Sequence, residues 1–136
     1  MKSLDAPYAD WFAAADAHDT SPLPGLLTPD CELVAPGVSL RGPEQIAGWT
    51  QVFYDAFPDI SHPISATVTA GDSVAVELHT VGTHTGPLVG PQGTVPPTGR
   101  PLDLRVANVI TRAGDRIASL RIYYDHVEFL TQLGLM

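Results

Sequence analysis

The sequence predicts an α+β protein in which helices cover one face of a strongly curved antiparallel sheet and enclose an apolar pocket. Apolar residues of the N-terminal half recur every three or four positions, which is typical of helices. In the C-terminal half, apolar and polar residues alternate between short turn sequences, which is typical of strands. Helices followed by a run of strands are the order expected of this fold class. At this length we expect one domain, residues 1–136.

Three helices are predicted in the N-terminal half. The first carries a buried face formed by Leu4, Tyr8, Trp11, Phe12, Ala15 and His18. A short second helix is predicted from Pro22 to Leu27, because Ser21 suits the N-cap and proline suits the first helical position. The third begins at Gly42-Pro43-Glu44 and ends before Pro58, since proline cannot continue a helix. Its buried face is expected to carry Ile46, Trp49, Phe53 and Ala56 or Phe57.

Strand patterns begin at Cys31–Ala35, a short apolar segment that Pro36-Gly37 ends. Two longer alternating segments, 64–70 and 73–83, flank a Gly71-Asp72 turn. Turn residues between two alternating segments predict a β-hairpin.

A second hairpin is predicted from segments 102–112 and 115–125 around Ala113-Gly114, and residues 129–135 are expected to add a helical turn. Between the two hairpins, residues 86–101 contain four glycines and five prolines in sixteen positions. That composition opposes a regular ladder, so we expect a mobile loop that borders the pocket mouth as a lid.

Composition excludes several classes of protein. Fifteen acidic and seven basic residues give a net charge of −8, which opposes binding to nucleic acid. No apolar run approaches the ~20 residues of a membrane span, and no signal-peptide core follows Met1, so a cytoplasmic protein is expected. Cys31 is the single cysteine, and no helical His-Glu-x-x-His pattern occurs. We therefore expect neither a metal nor an organic cofactor.

Four segments, in order, resemble one family over nearly the whole chain. They are Ala56-Phe57-Pro58-Asp59, Gly82-Thr83-His84-Thr85-Gly86-Pro87, Pro96-Pro97-Thr98-Gly99-Arg100, and Tyr124-Asp125 followed by Phe129-Leu130-Thr131-Gln132-Leu133-Gly134. The chain resembles the SnoaL-like polyketide cyclases (ester cyclases) of the nuclear transport factor 2-like superfamily. The resemblance implies a cone-shaped pocket, often in a homodimer, in which a polyketide ring closes by intramolecular aldol condensation.

The resemblance also implies an aspartate on the last strand as the acid and base, and Asp125 occupies that place. Apolar and aromatic neighbours at 122–124 would desolvate a carboxylate that faces the pocket and make it a stronger base. The family often carries a His-Trp pair earlier on that strand, where this chain has Leu120-Arg121.

The register of the second hairpin decides which side chains accompany Asp125. If Ala113-Gly114 is a two-residue turn, Asn108 pairs with Ser119. One face then carries Asn108, Ser119, Arg121, Tyr123 and Asp125, and a β-bulge would move part of this set to the other face. Arg121 could pair with Asp125 or hold an enolate oxygen, and Asn108 could donate a hydrogen bond to it. Each side chain also has a purely structural alternative. Arg121 could be a solvated surface residue, and Asn108 could satisfy a neighbouring backbone group of the sheet.

An apolar carbonyl compound or polyketide is the expected ligand. The residues expected to line its pocket are Tyr8, Phe12, Trp49, Phe53, His79 and Tyr123, although the aromatic ones could equally be ordinary core. Other functions stay open on the same pocket: a dehydratase, an isomerase, an epoxide hydrolase in which Asp125 with Arg121, and Asp103 in addition, would orient a water, or a non-catalytic module that binds a hydrophobic ligand.

Overall fold

The computed structural model describes residues 4–136 and confirms the α+β class. Four helices and eight strands occur among these residues. In chain order they are α1 (Tyr8–Ala17), α2 (Leu23–Leu26), β1 (Leu27–Ala35), β2 (Val38–Arg41), α3 (Pro43–Ala56), β3 (Ile64–Ala70), β4 (Ser73–Thr83), β5 (Leu88–Gly90), β6 (Gly93–Val95), β7 (Pro101–Ala113), β8 (Arg116–Tyr123) and α4 (His126–Gln132). None of the helices within residues 4–136 has the length and apolar character that crossing a membrane requires.

Six strands form the main sheet in the order β2-β1-β8-β7-β4-β3. All neighbours are antiparallel except β1 and β8, which run parallel. The expectation of a wholly antiparallel sheet is therefore wrong for this pair. A parallel pair needs a long connection, and here most of the chain lies between the two strands. Strand β2, which follows Pro36-Gly37 and forms a hairpin with β1, was also not predicted.

The helices carry the aromatic faces that their spacing predicts. Helix α1 buries Tyr8, Trp11 and Phe12, whereas Leu4 precedes it and His18 ends it in a left-handed conformation with a φ of 54°. Helix α3 begins at Pro43, as predicted. Together the helices cover the inner face of the sheet, and the core lies between the two layers.

Strand β1 buries the single cysteine of the chain. Cys31 has no exposed surface. Burial, together with the negative charges of Asp30 and Glu32, raises the pKa of its thiol to about 11. A thiol that stays protonated is a poor nucleophile, so Cys31 is a core residue.

The second hairpin turns one residue later than predicted. Gly114 and Asp115 form the turn, and Ala113 lies opposite Arg116. The φ of Gly114 is 64°, a left-handed value that glycine adopts without strain. Moving the turn by one residue changes every partner but leaves each side chain on its predicted face.

A β-bulge in the same hairpin does exchange the faces. The register shifts by one residue between Thr111 and Arg112. Together with the later turn, this shift places Asn108 opposite Ile122 instead of Ser119. Because the side chains of a strand alternate, one extra residue moves everything beyond it on β8 to the opposite side.

Residues 86–101 are more regular than expected, because β5 and β6 form a small separate hairpin. The prolines at 87, 91, 96 and 97 flank these two strands and do not interrupt them. None of residues 86–101 lines the cavity described below, so the expected lid position is wrong for this structure. Their mobility stays a prediction.

The segments that carry the resemblance pack against one another. Asp59 follows α3, and its carboxylate accepts the backbone N–H of Thr83 at 2.7 Å and the Thr83 hydroxyl at 2.9 Å. The hydrogen bond from the backbone N–H of Thr83 lowers the pKa of Asp59. Three residues later, the backbone N–H of Gly86 donates to the carbonyl of Ala56 at 3.1 Å. These contacts attach the end of β4 to the end of α3.

His84 connects the same junction to the segment before β7. Its ring is fully buried, and its Nδ1 accepts the backbone N–H of Thr98 at 3.2 Å. Its backbone carbonyl accepts the N–H of Gly99 at 2.8 Å. Burial lowers the pKa of His84, which keeps the ring neutral. The motif histidine therefore organises the scaffold and does not line the cavity.

Candidate active site

A cavity lies between the helices and the inner face of the sheet. Its empty space is about 760 Å³, which includes the open mouth. Most lining side chains are apolar or aromatic. The lining residues are Trp11, Phe12, Ala15, Trp49, Thr50, Phe53, Tyr54, Ile60, His62, Leu78, Thr80, Leu102, Leu104, Val106, Asn108, Ile122, Tyr124 and Phe129. A concave apolar space with a few polar groups is typical of a small-molecule site.

Four of the predicted site residues line this cavity: Phe12, Trp49, Phe53 and Asn108. The rings of Trp49 and Phe53 meet edge to face with centroids 4.9 Å apart. Such aromatic walls suit a flat apolar ligand.

Asn108 is one of two polar strand residues, with Thr80, that line the cavity. It is 5% exposed, and its Oδ1 has no hydrogen-bond partner among residues 4–136. A buried amide oxygen without a partner costs ~1–3 kcal/mol, so native proteins rarely keep one without a reason. Here the amide faces a cavity in which a ligand can supply the missing partner.

The predicted position of Asp125 is wrong. Strand β8 ends at Tyr123, Tyr124 turns toward the cavity, and Asp125 becomes the N-cap of α4. Its Oδ1 accepts the backbone N–H groups of Val127 at 3.0 Å and Glu128 at 3.1 Å, and the residue is exposed. Capping explains an aspartate at this place without any role in the cavity.

Arg121 and Tyr123 also lie outside the cavity. Both are exposed on the outer face of β8, because the bulge places them opposite Val109 and Ala107 and not beside Asn108. The expected set of Asn108, Arg121 and Asp125 is therefore not assembled.

Two further predicted pocket residues lie elsewhere. Tyr8 is buried, but its hydroxyl donates to the carbonyl of Asp72 at 2.6 Å and the residue does not line the cavity. His79 is on the outer face of the sheet, where its Nδ1 lies 2.6 Å from Asp103 Oδ1. Alternation along β4 explains this placement, since the inward residues are Leu78 and Thr80.

Two tyrosines that the sequence analysis did not select line the cavity. Burial raises the pKa of Tyr124. Burial also raises the pKa of Tyr54, and the negative charges of Asp16 and Asp19 add to this effect, while a hydrogen bond with Thr50 opposes it. Both phenols are therefore neutral hydrogen-bond donors near neutral pH. Period-two alternation from Ile122 would have selected Tyr124 in place of Tyr123.

His62 is the titratable nitrogen base of the cavity lining. It follows Ile60 in the connection from α3 to β3, and its side chain is 15% exposed. Its Nδ1 lies 3.0 Å from Oδ1 of Asp16, a residue of α1. The same oxygen accepts the backbone N–H of His62 at 3.1 Å. The two residues are 46 positions apart, so no sequence spacing indicated the pair.

No group of three or more His, Cys, Asp and Glu side chains within residues 4–136 is arranged to hold a metal ion.

Comparisons with known proteins agree with this architecture. A model of the family described as SnoaL-like polyketide cyclase matches residues 7–133. No curated protein matches the chain. A protein from Jannaschia sp. CCS1, assigned as a SnoaL-like polyketide cyclase, superimposes with a TM-score of 0.83 over 99% of both chains at 19% identity.

Two other solved structures have higher sequence identity. IdmH from Streptomyces antibioticus, assigned as a polyketide cyclase, is 30% identical, with a TM-score of 0.75 over 93% of this chain and 95% of that one. A hypothetical protein with a ketosteroid isomerase-like fold from Catenulispora acidiphila DSM 44928 is 25% identical, with a TM-score of 0.78 over 97% and 96% of the two chains. Because the family model matches almost the whole of this chain, the chain belongs to the SnoaL-like polyketide cyclase family.

Proposed function

We propose that the protein is a cofactor-independent cyclase that binds a small apolar carbonyl compound or polyketide in the cavity and closes a ring by intramolecular aldol addition. The observation that supports this most directly is the buried Asn108, which lines a largely apolar cavity and whose Oδ1 lacks a partner among residues 4–136. Membership of the family supplies the reaction class.

The aldol step needs a donor where negative charge develops. The NH₂ group of the Asn108 amide is the kind of donor that this step requires. That group would donate to the carbonyl under attack and then to the alkoxide formed from it. A donor held in a dry site stabilises such an oxyanion far more than water does. The neutral phenols of Tyr54 and Tyr124 are further donors.

The polar groups of the two central strands β7 and β4 lie at different levels of the sheet. Asn108 lies opposite Val76, whereas Thr80 lines the cavity four residues further along that strand, a distance of ~13 Å. A ligand with two carbonyl groups and an apolar body would match this arrangement better than a ligand with one polar end.

A second candidate is a non-catalytic module that binds a hydrophobic ligand. The observation in its favour is that no Asp or Glu side chain is among the described lining residues. This function predicts binding without turnover.

Filling the cavity tests the proposed site. We expect Ala15→Phe to abolish ring closure of a cyclic triketone with an oxobutyl side chain, because the new ring would occupy the space beside Trp11 and Phe12. The measurement is product formation by chromatography, together with thermal unfolding to establish that the variant folds. Ala13→Phe is the matched control, since Ala13 is on the exposed side of the same helix. Wild-type turnover in a folded Ala15→Phe protein would exclude this cavity as the site.

We also propose a homodimer. The outer face of the sheet leaves Val68 68% exposed and Tyr123 54% exposed, and association of two copies would cover such residues. Light scattering at micromolar concentration is expected to give twice the monomer mass. A monomer mass under these conditions would contradict the proposal.

A further inference from the structure

We propose that His62, oriented by Asp16, is the acid–base residue of the cavity. This inference rests on the proposed function, because that function requires a base beside an apolar carbonyl ligand. It assigns to the His62–Asp16 pair the role that the sequence analysis gave to Asp125.

The hydrogen bonds fix which ring nitrogen is free. An ionised carboxylate only accepts hydrogen bonds, so the 3.0 Å contact requires His62 Nδ1 to carry the proton. In the neutral ring the lone pair then lies on Nε2. Because Asp16 Oδ1 also accepts the backbone N–H of His62, one carboxylate oxygen anchors both the ring and the backbone. An imidazole oriented by a carboxylate is a recurring arrangement for a general base.

Strand pairing places His62 on the cavity wall. Ser61 forms an isolated bridge with Val81, and the N–H of His79 donates to the carbonyl of Pro63 at 2.9 Å. His62 is therefore opposite Thr80, and both residues line the cavity. Two other titratable groups lie close to the pair: the phenol of Tyr54 from α3, which is within the electrostatic influence of Asp16, and the ring of His18 at the end of α1, which stacks on Tyr54 and bonds to the carbonyl of Ile60.

The proton transfer can be written for an apolar diketone. Nε2 of His62 takes a proton from a carbon next to one carbonyl, and the C–H electron pair forms the enolate double bond while its oxygen gains the negative charge. The enolate carbon then bonds to the second carbonyl carbon, whose oxygen becomes an alkoxide. The alkoxide takes a proton from water, and the imidazolium, stabilised by the Asp16 carboxylate, gives its proton to the hydroxide that remains. No oxidant, reductant or other reactant is consumed.

Hydrogen exchange of a ketone tests the base directly. The probe is β-tetralone, a flat bicyclic ketone, whose α-hydrogens are followed by NMR in deuterated buffer. We expect His62→Gln to slow enzyme-dependent exchange at least ~100-fold, the lower range for a lost general base. Binding of β-tetralone, measured by fluorescence of Trp11 and Trp49 in the cavity wall, should change by less than about threefold, since His62→Gln keeps the apolar walls.

Two controls separate this role from general effects of substitution. His79→Gln removes the other described histidine that is paired with an aspartate, on the outer face of the sheet, and should leave exchange unchanged. Asp125→Asn keeps the helix cap and should also leave exchange unchanged.

Wild-type exchange in His62→Gln would overturn the inference while leaving the proposed cyclase intact. Binding without exchange in the wild type would contradict both and favour the non-catalytic module.

Asp16 is a positioning residue and needs a different readout. Asp16→Asn keeps an oxygen at the accepting position but removes the charge that stabilises the imidazolium. We expect the exchange rate constant per folded molecule to fall, while the binding of β-tetralone changes by less than about threefold. A purely structural role for Asp16 would lower the amount of folded protein and leave the rate constant per folded molecule unchanged, which would overturn the assignment of Asp16.

Discussion

Gly86→Ala is expected to lower the free energy of unfolding by at least about 2 kcal/mol. A Cβ at this position would overlap the backbone carbonyl oxygen of Asp55 at the end of α3. Backbone atoms cannot rotate away as a side chain can. The backbone would have to move to relieve this overlap, and the movement would strain the hydrogen bond from the Gly86 N–H to the Ala56 carbonyl. Urea unfolding, followed by tryptophan fluorescence, measures the change.

Gly48→Ala is the matched control for this substitution. Gly48 lies inside α3, and a Cβ there would meet no atom within 4 Å. Alanine should therefore stabilise the helix by about 0.5–1 kcal/mol, since it loses less backbone entropy than glycine on folding. Equal stabilities for Gly86→Ala and the wild type would mean that β4 and α3 do not approach as closely as described.

Asn108→Leu is expected to change stability and function in opposite directions. Leucine has nearly the same size and removes the cost of burying an amide oxygen without a partner, so the free energy of unfolding should rise by about 1–3 kcal/mol. Ring closure of the triketone should fall at least ~100-fold, because the donor to the alkoxide is lost. The two measurements are urea unfolding and product formation.

Val106→Leu serves as the control for altered cavity shape. Val106 is two residues earlier on the same face of β7 and also lines the cavity. Its substitution should reduce turnover only modestly. If Asn108→Leu instead destabilised the protein, the amide would have a partner in the folded state, and its proposed role toward the ligand would lose its basis.

Local patterns predicted the elements well because each depends on neighbouring residues. The hairpin of β3 and β4 has its predicted bounds, and α3 begins at its predicted residue. The parallel pairing of β1 with β8 was not predictable in this way, because it joins strands that are remote in sequence.

The candidate site was harder to predict than the elements, because it depends on a local irregularity and on contacts between residues that are remote in sequence. A single bulge near Thr111 reversed the faces of β8 and removed Arg121 and Tyr123 from the cavity. Asn108 lies before the bulge on its own strand, and it lines the cavity. His62 and Asp16 meet only through the packing of α1 against the connection before β3, which no periodicity describes.

The buried thiol of Cys31 can report on the opening of the sheet. A protonated, inaccessible sulfur reacts with an alkylating reagent only after β1 leaves the core. At a reagent concentration low enough that closing is faster than labelling, the labelling rate therefore measures the fraction of molecules in which the sheet is open, without denaturant and without an added label. Each substitution considered above leaves this atom untouched, so one chemical reaction can rank the opening free energies of all the variants on a common scale.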